Sequence, residues 1–521
     1  MEMPAMPGSS GCRLSATDAG FLYLERKEIP LHMAAVAVFD GPIDFEEFVA
    51  SVDSKLPLIP RYRQVVRMPS YNMGYPTWED DPHFDIRRHI FRVEVDPPGG
   101  QAELEALAGR VLTPLMDRSK PLWDYHVVEG LRDGRGALIA RLHHSMADGI
   151  SGASLLRLIL GPGEGNEPEP VSPAEPSVPK APAATPSLAG AVASAIETSL
   201  QGLMAAQQAL LNLTETLLGQ GASSSMNTAV ELLSEFARSV ERLPFNKPCG
   251  GERKFCCAEL ELSDVLAVRH AAGGTVNDVI LTVLTRALAR YVKLHGETVT
   301  NRLVRVVCPV NLRQVDPHGG TGNEISFLPV ALPMDVPQPL EMLHAVSTRT
   351  EAMKRLRAAD MVGLAAACIA AAPPVLQELF WKGISQVTLP LPLFNIICTN
   401  VGGLSAVPLF ATGRRMIACY PQVPTGYEMG IGCAVHSYAG KLFFGLIADS
   451  QAAPDVGRLR DFLYVAFREL CAASGVKRTR QTRTRRPREK KTSSEELKTA
   501  PMEPAVADAA PAPVVRYEAV A

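Results

Sequence analysis

A pair of adjacent histidines at the end of a short apolar strand is the feature that most constrains this chain. Residues 136–140 form an apolar run bounded by glycines, and residues 151–160 repeat leucine and isoleucine at helical spacing. This pattern predicts a strand, a tight loop and a helix, with His143 and His144 where the strand ends. Because side chains alternate across a strand, the two imidazoles cannot both face one cavity. One histidine can do chemistry while the other packs.

Length and charge narrow the class of protein. A chain of 521 residues exceeds what one compact core usually holds, so we expect two domains. The net charge of -3 gives no overall attraction to nucleic acid, and no nucleic-acid partner is expected. The ten cysteines form no CxxC pair, which favours buried thiols in a reducing compartment. Since no secretory signal and no apolar stretch of about 18 residues is present, we expect a cytoplasmic protein that does not span a membrane.

Changes in composition divide the chain into six segments. The predicted segments are a disordered N-terminus (1–11), a first half with the histidine pair (12–160), a Pro- and Glu-rich linker (161–187), an amphipathic helical connector (188–243), a second half (244–475) and a disordered tail, first basic and then Ala- and Pro-rich (476–521). Each half alternates strands and helices, which predicts the α/β class with mixed sheets. The apolar faces of the connector favour packing against the body over contact with lipid. The basic tail suits either an anionic membrane surface or simple solvation.

The histidine loop suits general-base chemistry on a hydroxyl. A neutral imidazole can take the proton of a hydroxyl that attacks a carbonyl, and Asp148, in a turn closed by Gly149, can fix the loop through a basic partner. A metal site is one rival, but the diverging histidines lack an HExxH or His-Cys cluster, so no metal is expected. A serine hydrolase is another rival, since residues 149–153 almost spell a nucleophile elbow. Ala153 stands where that elbow needs glycine, and the serine does not directly follow a strand.

The start of a long helix in the second half is the other candidate site. Residues 273–278 read Gly-Gly-Thr-Val-Asn-Asp and precede an apolar helical pattern. Thr275 and Asn277 are plausible caps, so this helix N-terminus would present backbone donors and the positive end of its dipole. The glycine-rich run at 319–323 precedes a strand, which is the wrong order for a dinucleotide loop. That run therefore indicates no phosphate binding.

These residues together carry a family resemblance. Residues 143–149 read His-His-Ser-Met-Ala-Asp-Gly and match the HHxxxDG motif of the CoA-dependent acyltransferase superfamily. Over nearly all of residues 12–475 the chain resembles the bacterial wax ester synthase/acyl-CoA:diacylglycerol acyltransferase family. Further matching stretches are residues 14–24, Pro121-Leu122-Trp123, Asn277-Asp278, Asn311-Leu312-Arg313, 322–323, 400–401 and 436–440. The DFGWG sequence of the plant-type branch is absent, and Gly402-Gly403-Leu404 replaces the Pro-Gly-Pro that often follows Asn-Val in the family.

The resemblance implies a fold and a mechanism. Two chloramphenicol-acetyltransferase-like domains would enclose an active-site channel that acyl-CoA and the alcohol enter from different sides. His144 matches the catalytic second histidine and would deprotonate a diacylglycerol or long-chain alcohol, whose oxygen attacks the thioester without an acyl-enzyme. His143 and Asp148 would support it, with Asp148 held by an arginine such as Arg313. No cofactor is implied, because acyl-CoA is a substrate.

The sequence also yields predictions for the rest of the site and for the partners. Asn277 is a candidate for polarising the thioester or orienting the acceptor, with a plain helix cap as the alternative, and Gly149 is assigned to the same substrate site. Pro121-Leu122-Trp123, Asp278 and Arg313 are taken as structural parts of the motifs. Peripheral contact with the inner membrane or lipid inclusions is expected. Two other functions stay open, a same-fold acyltransferase or condensation enzyme with another alcohol acceptor, and a catalytically weak protein that binds lipid inclusions.

Overall fold

Two six-stranded sheets organise the chain. The computed structural model describes residues 12–69, 74–147, 149–162, 204, 207, 240–311, 325–355, 368–384, 392, 394–405 and 407–478. Both large sheets contain parallel and antiparallel pairs, which confirms the predicted α/β class with mixed sheets. The predicted linker, connector and C-terminal tail lie almost entirely outside the described residues, so the segment boundaries stay predictions.

Most helices of the described residues form on amphipathic segments. They are α1 (Ala16–Leu24), α2 (Phe45–Lys55), α3 (Gln101–Val111), α4 (Gly149–Leu160), α5 (Leu262–Ala272), α6 (Val276–Leu294), α7 (Pro339–Arg355), α8 (Pro374–Ile384) and α9 (Val456–Ala473). Short 3-10 turns lie between α2 and the next strand.

The strands of the described residues are mostly long and buried. They are β1 (Cys12–Arg13), β2 (His32–Phe39), β3 (Gln64–Arg67), β4 (Thr77–Asp80), β5 (Ile90–Glu94), β6 (Trp123–Glu129), β7 (Gly136–His143), β8 (Arg253–Glu261), β9 (Leu303–Asn311), β10 (Ile325–Pro333), β11 (Ile396–Val401), β12 (Phe410–Ala411), β13 (Arg414–Gln422), β14 (Ile431–Tyr438) and β15 (Lys441–Asp449).

The first large sheet places the histidine strand at its centre. Its strand order is β12-β13-β2-β7-β6-β5, and every neighbouring pair is antiparallel except β5 with β6. In this register His143 lies opposite His32 on β2, and Arg141 lies between Ala34 on β2 and Asp124 on β6. A small antiparallel sheet of β1, β4 and β3 lies apart from it.

The second large sheet is built by the second half alone. Its strand order is β10-β9-β11-β14-β15-β8, with β11 parallel to both of its neighbours and the other pairs antiparallel. Helix α6 is buried along most of its length, contacts α5, α7 and α9, and shares the apolar core of this sheet. Each large sheet therefore has its own apolar core.

Strand β13 joins the two halves. It belongs to the second half by sequence, yet it pairs with β2 in the first sheet. Tyr420 on β13 packs edge-on against Phe443 of β15 in the second sheet, with ring centroids 5.3 Å apart. The close approach needs a glycine, because a Cβ on Gly445 would lie 1.7 Å from the carbonyl oxygen of Pro421. The second half thus forms part of the first sheet and fixes the seam between the halves.

Candidate active site

Backbone hydrogen bonds hold the histidine loop on both sides. Strand β7 ends at His143 and α4 begins at Gly149, as the strand, loop and helix pattern predicts. The His143 N–H donates to the carbonyl of Leu122 and the His144 N–H donates to that of Leu31, each at 2.9 Å. Asp148 lies outside the described residues. The loop is therefore fixed to β6 and to the segment before β2.

The core beneath this loop includes the segment Pro121-Leu122-Trp123. Trp123 is 1% exposed and lies between the rings of Tyr62 and His89, with centroids 4.5 and 4.4 Å away. Its indole Nε1 donates to the Tyr62 carbonyl at 2.8 Å. Burial lowers the pKa of His89 to about 4, so this imidazole is neutral at physiological pH. The contacts of Trp123 are thus those of a packing residue.

His144 lines an apolar cavity between the two halves. Its imidazole stacks on Phe21 of α1, with centroids 4.2 Å apart and ring planes 22° from parallel. The cavity holds about 320 Å³, a size suited to a small-molecule substrate. The described lining residues of the first half are Phe21, Leu24, Leu31, Met33, Ala34, Ala35, Tyr62, Tyr125, Ala140, Arg141, Leu142, His144, Gly152, Ala153 and Leu156. Those of the second half are Val307, Pro309, Phe327, Phe394, Ile397, Thr399, Val401, Leu404, Pro421, Gln422, Val423, Pro424, Met429, Ala434 and His436.

His143 points away from this cavity and is fully buried. Its Nδ1 accepts from the Ser145 N–H at 3.1 Å and lies 2.7 Å from the Ser145 hydroxyl. An Nδ1 that accepts leaves the ring proton on Nε2, which lies 3.3 Å from Glu25 Oε1. With Nδ1 bonded to Ser145 and Nε2 facing Glu25, His143 shapes the loop and is not among the described lining residues of the cavity.

Glu25 is the charged end of this network. Burial alone would raise its pKa, but the contact with His143, the N–H of Leu31 and the charge of Arg118 outweigh burial and lower it to about 2. Leu31 N–H donates to Oε1 at 3.0 Å, and Arg118 Nη2 donates to Oε2 at 3.0 Å. Glu25 is therefore a carboxylate at all physiological pH values. Through Arg118, His143 and Leu31 it ties α1 to the histidine loop.

Another buried ion pair is formed by Arg141, two residues before His143 on β7. Arg141 donates through Nε and Nη2 to the two oxygens of Asp124, at 2.8 and 2.6 Å, and through Nη1 to the Val111 carbonyl at 2.7 Å. His126 Nε2 lies 3.0 Å from the same carboxylate. Burial would raise the pKa of Asp124, but the charge of Arg141 and the contact with His126 hold it well below its usual range. The pair anchors the strand that carries both histidines.

The residues of the second half that the sequence predicted for the site either do not line the cavity or lie outside the described residues. Thr275, and not Asn277, is the N-cap of α6, because its hydroxyl accepts from the Asp278 N–H at 3.2 Å. The Asp278 carboxylate completes a capping box and accepts from the Thr350 hydroxyl at 2.7 Å. Asn277 is half-buried in the first turn and is not among the described residues that line the cavity. Arg313 lies outside the described residues, so the pairing of Asp148 with Arg313 stays a prediction.

The second half contributes polar groups that were not among the predicted site residues. His436 Nε2 donates to the Cys419 carbonyl on β13 at 2.8 Å, and burial lowers its pKa to about 4. Gln422 Nε2 donates to the Val423 carbonyl at 2.8 Å. Both side chains are more than nine-tenths buried in the cavity wall. His436 begins the matched stretch at 436–440, whereas nothing in the sequence pointed to Gln422.

Family models match most of the chain. Residues 14–280 match the model of the wax ester synthase/diacylglycerol acyltransferase catalytic domain, and residues 321–471 match that of the WS/DGAT C-terminal domain. A probable diacylglycerol O-acyltransferase of Mycobacterium tuberculosis is 30% identical over 489 residues, which cover 91% of this chain and 98% of that protein. The chain belongs to the WS/DGAT family. It is accordingly an acyltransferase, as the sequence motifs predict.

Solved structures share the fold of this WS/DGAT family member. The wax ester synthase/diacylglycerol acyltransferase of Marinobacter aquaeolei superposes with a TM-score of 0.61 at 23% identity, covering 89% of this chain and all of that one. The starter condensation domain of rhizomide synthetase gives a TM-score of 0.53 at 14% identity, over 89% and 95% of the two chains. Both likenesses concern the two-domain fold alone. Among the described residues, no helix has the length and apolar character needed to cross a bilayer.

Proposed function

We propose that this enzyme transfers a long-chain acyl group from acyl-CoA to the hydroxyl of diacylglycerol, of a long-chain alcohol, or of both, with His144 as the general base. The observation that carries the proposal is the position of His144, an imidazole in an apolar cavity between the two halves. The name of the M. tuberculosis relative supports diacylglycerol as acceptor, and the name of the family model that matches residues 14–280 supports both acceptors.

The proposed reaction is one direct transfer. His144 takes the proton of the alcohol while the alcohol oxygen attacks the thioester carbonyl carbon. The carbon–sulfur bond of the tetrahedral intermediate then breaks, and CoA leaves as a thiolate that the imidazolium of His144 protonates. The apolar lining of the cavity disfavours water, which would otherwise compete with the alcohol for the acyl group.

The other residues of the motif would act on His144 or on substrate. His143 supports the loop through its contacts with Ser145 and Glu25. Asp148 and Gly149 would fix the turn that follows, and Asn277 would orient a substrate from the start of α6. These three assignments rest on the resemblance and on the position of the residues in the sequence.

The acceptor is tested by an assay with two alcohols. Purified protein is mixed with radiolabelled palmitoyl-CoA and either dipalmitin or hexadecanol, and the labelled lipid is separated by thin-layer chromatography. We expect labelled triacylglycerol, wax ester or both, with none in a blank without acceptor. Absence of both products would refute the proposed function, and a product with only one alcohol would define the acceptor.

We also propose that the enzyme contacts a lipid surface through α8, because this helix has an inverted amphipathic pattern. Two of its polar residues are inward. Gln377 is 1% exposed and donates to Tyr75 Oη at 2.7 Å and to the Ala372 carbonyl at 2.6 Å, and Glu378 is 9% exposed and pairs with the exposed Lys382. Its outward face is apolar, with exposures from 39% to 62%, and consists of Val375, Leu376, Leu379 and Phe380. A contiguous exposed apolar face of this kind marks an interaction site.

The position of α8 supports a lipid as its partner. Trp381 packs so closely on α1 that a Cβ on Gly20 would lie 3.3 Å from its indole nitrogen. The next residue of α1, Phe21, stacks on His144. A lipid surface bound to α8 would therefore lie beside the cavity in which water-insoluble acceptors react.

Charged substitutions on the outward face should release the enzyme from lipid. The double variant Leu376→Glu and Leu379→Glu should lower the partition coefficient by about tenfold or more, since two apolar side chains lose their burial in lipid. The measurement is flotation with phosphatidylcholine vesicles that contain diacylglycerol, at high salt to screen the basic tail. Leu294→Glu, at the exposed end of α6, is the matched control. Equal flotation of the double variant and the wild type would contradict the proposal.

A further inference from the structure

Gln422 carries a buried hydrogen-bond acceptor that has no donor among the described residues. Its side chain is 7% exposed and lines the cavity from the end of β13. Because the Val423 carbonyl can only accept, the atom 2.8 Å from it is the amide nitrogen, and Oε1 takes the other position. Among the described residues no donor lies within hydrogen-bond distance of Oε1. A buried acceptor without a donor is costly, so its retention in an apolar wall points to a donor on a ligand.

The strand holds this acceptor in place. Gln422 pairs with Ala34 of β2, which in turn pairs with Arg141 of β7. Its Cα therefore lies level with the buried ion pair of Arg141 and Asp124 across the strands of the sheet. The preceding residue, Pro421, is held against Gly445 of β15. With its amide nitrogen bound to Val423, the side chain has little freedom to rotate. The acceptor is therefore preorganised before any substrate enters.

The chemistry of the substrates selects the donor. In the proposed function the alcohol contributes one hydroxyl, and that hydroxyl faces His144. The remaining oxygens of diacylglycerol are ester oxygens and accept only, and an acyl chain has no donor. The pantetheine arm of acyl-CoA carries two amide N–H groups, which lie closer to the thioester than its one hydroxyl does. We infer that Gln422 is a positioning residue that accepts a hydrogen bond from an amide N–H of the pantetheine arm and so places the thioester near His144.

A series of thioesters tests this inference, which rests on the proposed function. Palmitoyl thioesters of CoA, pantetheine, N-acetylcysteamine and pentanethiol carry two, two, one and no amide N–H groups in the arm. The wild type should prefer the amide-bearing thioesters over the pentyl thioester in kcat/KM. Gln422→Met, of similar size and without the acceptor, should reduce that preference by about tenfold, since one hydrogen bond to a buried group contributes on that order. The pentyl thioester should react equally with both proteins.

The outcomes separate the inference from the proposed function. A wild type that acylates neither dipalmitin nor hexadecanol refutes the proposed function itself. The inference is refuted if the wild type is active with palmitoyl-CoA and Gln422→Met loses the same fraction of its activity on the pentyl and CoA thioesters. Such a result would indicate a structural defect, because a structural defect affects all thioesters alike. If Gln422→Met does not fold, Gln422→Leu replaces it. An active wild type with no preference for amide-bearing thioesters overturns the inference without any variant.

Discussion

Replacing His144 by alanine should lower kcat for acyl transfer by roughly 10²–10⁴, the usual contribution of a positioned general base. The expected loss is large because His143 and His436, two buried histidines near the cavity, are held by other groups. His143 is engaged by Ser145 and faces Glu25, and His436 donates to a backbone carbonyl. The measurement is the initial rate of labelled triacylglycerol or wax ester formation at saturating palmitoyl-CoA. KM for palmitoyl-CoA should change little, since the imidazole acts on the alcohol.

A matched control distinguishes this loss from an effect of removing any histidine. His83 is exposed and is not among the described lining residues, so His83→Ala should retain the wild-type rate. The thermal midpoints of both variants should stay close to that of the wild type, because His144 is only partly buried. If His144→Ala kept a rate within threefold of the wild type, another group would be the base.

Replacing Asp124 by alanine should destabilise the protein by about 3–5 kcal/mol, because it leaves the buried guanidinium of Arg141 without its counter-charge. The two residues form a bidentate pair at 2.6 and 2.8 Å, and both are more than nine-tenths buried. The denaturation midpoint in urea, followed by tryptophan fluorescence, measures the loss. The double variant Asp124→Leu and Arg141→Met removes both charges and should recover most of it.

An exposed pair of similar geometry provides the control. Arg87 and Glu46 lie 2.7 Å apart on the surface, and Glu46→Ala should leave the midpoint almost unchanged because both groups remain solvated.

The buried pair also predicts a pH dependence. Burial would raise the pKa of Asp124, but Arg141 and His126 lower it well below its usual range. Its stabilising contribution is therefore complete above the unfolded pKa of about 4 and is lost as the pH falls further. A midpoint equally sensitive to acid in Asp124→Ala would contradict this account.

Local patterns were sufficient for the organisation around the histidine loop. A glycine-bounded apolar run and a leucine repeat predicted β7 and α4, and strand alternation predicted that His143 and His144 diverge. The two side chains do diverge, one into a buried network and the other into the cavity. The motif stretches gave the family, and the comparisons confirm it. These successes share a cause, since each depends on residues that are close together in the chain.

Other parts of the site depend on contacts that no local pattern encodes. Glu25 follows the matched stretch 14–24 directly, but only the fold brings it within 3.3 Å of His143, more than a hundred positions later. The cap of α6 shows the limit at short range, because Thr275 and Asn277 have similar capping preferences and the backbone geometry decides in favour of Thr275.

The sequence by itself determined the α/β class, the strand, loop and helix around the histidines, and the family of acyltransferases, because hydrophobic period, turn residues and a spaced motif are properties of neighbouring residues. Only the tertiary structure decided which groups meet in the cavity. Strand β13 leaves the second half to pair with β2, and it carries Gln422 into the wall. That pairing depends on long-range backbone hydrogen bonds and on the close contact of Gly445 with Pro421, which join residues far apart in the chain. The physical reason is that a sheet is completed by whichever strand edge fits in space, and a one-dimensional pattern does not specify that edge.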